Sequence, residues 1–192
     1  MNNIARKIVR DYIYHLETLE DVTDISSAAE RDFREALRQE SPEALEALAA
    51  PKGEAKKKEE PKEEETVKFD DKKFKKLFRK LAVKCHPDKF QDATEREAKF
   101  LKKCYEDINK ANDTYDWGLL LKVALELEVE IEDLEPEQVQ NIQDNIESIK
   151  GIITRYEESM AYKWFTLNDD AIKQKYLQTC ADIFKNSLKP KA

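Results

Sequence analysis

The sequence predicts an all-α protein, and three observations carry that prediction. Glycine and proline are scarce, three and six residues among 192, while Lys, Glu, Leu and Ala dominate. Apolar residues recur at intervals of three and four in one segment after another, the spacing that gathers them on one face of a helix. Few segments show the β-branched, alternating pattern that a sheet needs. A chain of this length can form one ordinary domain or a small one with appendages, and 39% charged residues leave modest material for a large core.

Charge divides the chain. Residues 1–50 carry six cations against eleven anions, 51–68 six against six, 69–115 thirteen against nine, and 116–192 nine against fifteen, within a net charge of -7. The expected organisation is an N-terminal helical arm over 1–50, a charged flexible linker over 51–68, a helical hairpin over 69–116 and a C-terminal helical region over 117–192. The linker, PKGEAKKKEEPKEEETVK, has almost no apolar residues and cannot bury enough surface to offset the entropy of ordering.

In the arm, Ile4, Ile8, Tyr12, Leu16 and Leu19 predict an amphipathic helix over 3–20 that needs a surface to cover it. Ser41-Pro42 is a start signal for a second, short helix through EALEALAA, with Ser as cap and Pro in the first turn. His15 lies beside the first stripe with no second His or carboxylate cluster, which suits a half-buried structural histidine and not a ligand or base.

The hairpin begins with a helix in which Phe74, Leu77, Phe78, Leu81 and Cys85 share one face. Lys72, Lys73, Lys75, Lys76, Arg79 and Lys80 fill the other, with Lys84 at its edge. Like charges at i, i+4 destabilise a helix by about 0.2–0.5 kcal/mol per pair. The pattern therefore points to a role beyond self-stability. Pro87 disfavours helix in the residue before it, so the helix ends near Cys85 or His86 and leaves His86 and Asp88 on an exposed turn. Thr94-Glu95-Arg96-Glu97 matches a capping box and starts the next helix, with Phe100, Leu101, Cys104, Tyr105, Ile108, Ala111 and Tyr115 as its inner face.

The run FRKLAVKCHPDK resembles the second helix and signature loop of the J-domain, the module of DnaJ-like co-chaperones, and YEDINKANDTY resembles the end of that module's third helix. The resemblance covers about a quarter of the chain. It implies a J-domain-like antiparallel hairpin with an HPD loop, and a partner, the seventy-kilodalton DnaK-type heat-shock chaperone ATPase. It further implies that His86, Pro87 and Asp88 promote ATP hydrolysis on that partner, with Lys75, Lys76, Arg79, Lys80, Lys84 and Lys89 meeting an acidic patch. Two features depart from the pattern. The linker stands where a first helix usually precedes the second, so that helix is either missing or supplied by the N-terminal arm, and Phe90 stands where a polar residue often follows the signature Lys. With no Gly/Phe-rich or cysteine-rich region, the resemblance is to the J-domain-only class, whose specificity for a client comes from what is attached.

What is attached reads as helical and coiled-coil-like. The stripe Leu120, Ala124, Leu127, Ile131 and Leu134 leads to the helix-start signal Glu135-Pro136-Glu137. Then Val139, Ile142, Ile146, Ile149, Ile153, Tyr156 and Met160 keep an unbroken spacing of three and four. Such a seam packs on the preceding segment by default, or on a second copy as a homodimer through 139–160, or on a client. A last helix is expected over about 168–186, starting at Asn168 and burying Ile172, Tyr176, Cys180 and Ile183, with Trp164 and Phe165 as core at the corner before it.

Other classes fit less well. Cys85, Cys104 and Cys180 lack CxxC or zinc-finger spacing, so neither a disulfide framework nor a structural zinc is expected, and a reducing cytoplasm fits best. GLLLKVALEL is too short to span a bilayer, and no membrane role is expected. Cys85-His86 is the one juxtaposition of nucleophile and base, and adjacent residues at a helix end point apart; no enzyme and no cofactor are expected. Nucleic-acid binding by the basic helix competes better, but acidic flanks oppose a polyanion and no aromatic or Asn/Gln set is there to read bases. A structural protein carrying a degenerate module is the remaining alternative.

Overall fold

The computed structural model describes residues 3–49, 71–90 and 93–187, and the regular structure among them is entirely helical. In chain order they form α1 (Asn3–Glu40), α2 (Pro42–Ala49), α3 (Lys72–Lys84), a 3-10 turn (Pro87–Phe90), α4 (Glu95–Thr114), α5 (Trp117–Glu126), α6 (Pro136–Glu157), α7 (Met160–Phe165) and α8 (Asp170–Ser187). The linker expected at 51–68 lies outside the described residues. No helix among the described residues is long and apolar enough to cross a membrane. Contacts cluster into two compact units, one of Met1–Glu17 with Val67–Lys150 and one of Thr18–Thr66 with Gly151–Ala192.

The first helix runs twenty residues beyond the expected end at 20, to Glu40. Its apolar register continues through the buried Val22, Ala29, Phe33 and Leu37, and no Gly or Pro interrupts residues 3–41. Pro42 then disfavours helix at Ser41, whose hydroxyl accepts the Ala44 N–H at 3.3 Å and starts α2 as expected.

In the first unit, α3 and α4 run antiparallel. The Phe74 ring lies 4.9 Å from that of Tyr115 at the start of α3, and His86 lies 6.3 Å from Tyr105 at its end. Phe74, Leu81, Cys85, Cys104, Ile108 and Ala111 are buried between them and α5. Phe100, expected inside, is 43% exposed, because α3 is thirteen residues against twenty for α4 and leaves the first turns of α4 opposite the 3-10 turn alone.

The centre of this unit is α5, where Trp117, Gly118, Leu119, Leu120, Leu121, Val123 and Ala124 are all buried, as befits a helix with Lys122 as its one charged residue before Glu126. The expected division at 116–117 thus falls inside the unit. The stripe expected to stay helical through Leu134 does not. Glu128 turns left-handed at φ 51°, and the N–H groups of Glu128 and Val129 return to the carbonyls of Leu125 and Ala124 at 3.2 and 2.8 Å, closing α5 in a Schellman motif.

Residues 3–17 of α1 belong to the same unit. Tyr12 is 2% exposed, donates to Asp116 Oδ2 at 2.7 Å and lays its ring where a side chain on Gly118 would be. Burial and the Asp116 charge push its hydroxyl pKa upward. Asn141 of α6 spans the α4–α5 corner, its Nδ2 donating to the Tyr115 carbonyl at 3.2 Å and its Oδ1 accepting the Trp117 N–H at 3.1 Å. Lys122 Nζ meets Asp107 at 2.9 Å and Glu126 at 3.2 Å. Burial opposes its charge, but these two carboxylates outweigh burial and hold the ammonium above its ordinary pKa.

The second unit has its own core of Ala29, Phe33, Leu37, Ala44, Ala161, Trp164, Leu177, Cys180 and Ala181. Trp164 meets Phe33 edge to face at 5.6 Å and carries Lys173 Nζ 4.3 Å above its ring. The last helix differs from expectation in its start and in part of its face, Cys180 being buried and Tyr176 partly buried as expected. Asp169 Oδ1 accepts the Ile172 N–H at 2.9 Å, so Asp169 and not Asn168 begins α8. Leu177, Cys180 and Ala181 are buried while Ile172 and Ile183 are 56% and 49% exposed, because packing on α2 and α7 selects the Leu177–Ala181 row. Along α6, Ile142, Ile146, Ile149 and Ile153 of the expected seam are buried, whereas Met160 lies past the helix end and is 38% exposed.

Candidate functional site

Three local devices place the His-Pro-Asp turn. Asp71 caps α3, its Oδ1 accepting the N–H groups of Lys73 and Phe74 at 2.8 and 3.0 Å, and its Oδ2 accepting the Tyr115 hydroxyl at 2.8 Å. Burial opposes ionisation of Asp71, yet these hydrogen bonds together hold its carboxyl below the ordinary value. At the other end Cys85 closes α3, its N–H returning to the Leu81 carbonyl at 3.1 Å. Thr94 and Glu97 then form the expected capping box: the Thr94 hydroxyl accepts the Glu97 N–H at 3.3 Å and Glu97 Oε2 accepts the Thr94 N–H at 2.9 Å. Hydrogen bonds from the Thr94 hydroxyl and N–H hold the Glu97 carboxyl below its ordinary value.

Between these ends the chain makes one 3-10 turn, with the Lys89 N–H bonded to the His86 carbonyl at 2.9 Å. His86, Pro87, Asp88 and Lys89 all lie on the surface, the His86 and Asp88 side chains 51% and 86% exposed. His86 Nδ1 sits 3.1 Å from Asp88 Oδ2 and 3.4 Å from the Asp88 N–H. A protonated Nδ1 donates to the Asp88 carboxylate, whereas an unprotonated Nδ1 accepts the Asp88 backbone N–H, so the side chains pair with each other only when Nδ1 carries a proton. Tyr105 supports the imidazole from α4, edge to face.

The cations of α3 fall into two rows. Lys73, Lys76, Lys80 and Lys84 follow one another at intervals of three and four along one edge, and Lys72, Lys75 and Arg79 along the other, where Val83 is 68% exposed. The first row faces an acidic segment that the sequence reading did not connect with it. Lys73 Nζ meets Glu135 Oε1 at 2.6 Å, Lys76 Nζ meets Glu132 Oε1 at 2.7 Å, and Lys84 Nζ donates to the Leu127 carbonyl at 2.9 Å. Part of the basic face is therefore neutralised within the chain. The signal was present in Val129-Glu130-Ile131-Glu132, whose alternation buries Val129 and Ile131 and leaves Glu130 and Glu132 exposed. Between α3 and this segment lies a recess of about 60 Å³ over Leu77, Trp117, Ile131 and Leu134.

No family model matches the chain, and neither a curated protein nor a solved structure is significantly similar to it. The functional reading therefore stands on the residues and their geometry.

Proposed function

We propose that the chain is a co-chaperone of J-domain type that recruits a DnaK-type chaperone ATPase and stimulates its ATP hydrolysis. The observation that carries this reading is the exposed His86-Pro87-Asp88 turn, held between a basic helix that it terminates and a helix opened by a capping box. In this reading α3 and α4 are the second and third helices of the module. The first part of α1, anchored by Tyr12 on Asp116, takes the place of the first helix. Long-range attraction between Lys75, Lys76, Arg79, Lys80, Lys84 and Lys89 and an acidic surface speeds encounter. The Asp88 carboxylate then pairs with a cation of the ATPase, with His86 and Pro87 fixing its position. The second unit supplies specificity for a client.

A structural role with an idle turn is the second reading, favoured by the pairing of Lys73, Lys76 and Lys84 inside the chain. Single-turnover ATP hydrolysis by a DnaK-type chaperone separates the two. Acceleration by the full chain at micromolar concentration supports the co-chaperone; a rate equal to that of the chaperone alone supports the scaffold.

A further inference from the structure

The first row of α3 cations meets carboxylates that belong to the same chain, and the way those carboxylates are mounted is informative. Residues 129–135 form no regular structure, yet the segment Leu127–Glu135 is tied to a helix at each end, the Leu127 N–H to the Val123 carbonyl at 2.9 Å and the Glu135 carbonyl to the Val139 N–H at 3.1 Å. The Schellman turn at Glu128 starts it, Val129 and Ile131 are 6% and 8% exposed in the core, and its Leu127 carbonyl holds Lys84 Nζ. The carboxylates are mounted differently. The side chains of Glu132 and Glu135 are 62% and 56% exposed, and those of their partners Lys76 and Lys73 are 72% and 41% exposed. Ion pairs this open to water are weak and exchange readily with other anions. The hydrogen bond and charge of Lys76, with Lys73 and Lys80 behind it, hold the Glu132 carboxyl below its ordinary value, so this carboxylate feels three cations of the row.

From this arrangement we infer that Leu127–Glu135 is a built-in acidic counter-surface, which occupies the Lys73, Lys76 and Lys80 row of α3 and must yield it before an acidic protein surface can bind there. It deepens the proposed co-chaperone function as a restraint on the same basic face, and rests on that reading only for the identity of the outside partner. The physical logic is competition at a fixed position. An external anion has to displace a tethered one of high local concentration, so affinity and association rate fall together. Because Val129 and Ile131 stay in the core, release involves only the swing of two side chains and no unfolding. The second row, Lys72, Lys75 and Arg79, follows the other edge of α3.

The test uses the full chain and two double variants of equal charge. In Glu132→Gln with Glu135→Gln the counter-surface is neutralised; in Glu106→Gln with Asp113→Asn two exposed acids of α4 are neutralised instead. Binding of a fluorescent oligoglutamate peptide is measured by anisotropy at low and at physiological salt, with circular dichroism melting to verify the fold and Glu132→Gln alone as the milder variant. The expected result is that the first pair binds about three- to tenfold more tightly than the second at low salt, and that the gain shrinks as salt screens it. Equal gains for both pairs, which net charge alone would produce, or no gain for the first pair, overturn the inference. The same proteins are then assayed for chaperone ATPase stimulation. A peptide gain with no stimulation by any protein sustains the counter-surface and removes the co-chaperone reading. Stimulation by the parent chain with no peptide gain does the reverse.

Discussion

The Tyr115 hydroxyl donates a 2.8 Å hydrogen bond to Asp71 Oδ2, so the residue that ends α4 holds the cap that begins α3. Tyr115 is left-handed, at φ 51° and ψ 47°, a conformation that strains a residue with a side chain by roughly 1–2 kcal/mol. The bond to Asp71 and the contact with Phe74 offset that strain.

Asp71→Ala removes the cap and should destabilise the protein by about 0.5–2 kcal/mol at neutral pH. The folded-state pKa of Asp71 lies below the ordinary carboxyl value, so its contribution is present above that value, near about pH 4, and is lost as pH falls through the depressed one. Urea midpoints of the parent and the variant should therefore converge in acid. A difference that persists unchanged down to about pH 2 would show that the Asp71 charge contributes nothing.

Gly118→Ala opposes two effects of known sign. Helix propensity alone would stabilise α5 by about 0.5–1 kcal/mol. The new Cβ, however, would overlap the Tyr12 ring, which cannot withdraw because it is buried and bonded to Asp116. Overpacking of this kind typically costs about 1–3 kcal/mol, so the variant should melt below the parent. A higher melting temperature would mean that Tyr12 is not seated on α5.

The three thiols should be inert in the native protein. Burial, then the nearby Glu126 charge, pushes Cys104 up to about 12, and burial raises Cys85 and Cys180 as well. In unfolded chains thiols ionise near about 8.5. The folded pKa values being raised, stability should be undiminished below that point and fall as pH rises past it. Alkylation at pH 8 followed by mass spectrometry should label the cysteines only when denaturant is added. Rapid native labelling of Cys104 would contradict its burial.

Much of the helical architecture was legible because its signals are local. The Ser41-Pro42 start, the Thr94–Glu97 capping box, the end of α3 before Pro87 and the start of α6 at Pro136 each depend on residues within one turn. The misreadings share a different cause. The left-handed Glu128 carries no glycine to announce it, so α5 looked continuous with Ile131 and Leu134. Tertiary packing chose the Leu177 row of α8 over the equally regular Ile172 row. The pairing of Lys76 with Glu132 spans fifty-six residues and is invisible to any periodicity. The His86-Pro87-Asp88 turn itself was readable, since a proline after a basic amphipathic helix fixes both the stop and the exposure.

Ile146→Asp should cost several kcal/mol, because Ile146 is 3% exposed in a single chain and an aspartate there would be desolvated without a partner. Sedimentation of the parent chain should show a monomer. A concentration-dependent dimer that the substitution dissolves would instead assign the α6 seam to self-association.

In the proposed function, Asp88→Asn should strongly reduce stimulation of a DnaK-type ATPase while leaving the fold intact. Asp88 is 86% exposed beyond the helix-ending proline and contributes little to packing, and in the proposed function its carboxylate meets a cation of the partner. The amide keeps the shape and retains an acceptor oxygen for His86, but loses the charge. A charge-assisted bond across a partly desolvated interface is typically worth about 1.5–3 kcal/mol, so coupling should fall roughly ten- to a hundredfold. A local structural role makes the opposite forecast: if the carboxylate served chiefly to order His86 and the turn, melting temperature would drop along with activity. The two measurements are therefore made side by side, circular dichroism melting and single-turnover ATP hydrolysis for parent and variant. Undiminished stimulation by the Asn variant would remove Asp88 from the coupling, and an unchanged melting curve with lost stimulation would place it at the contact.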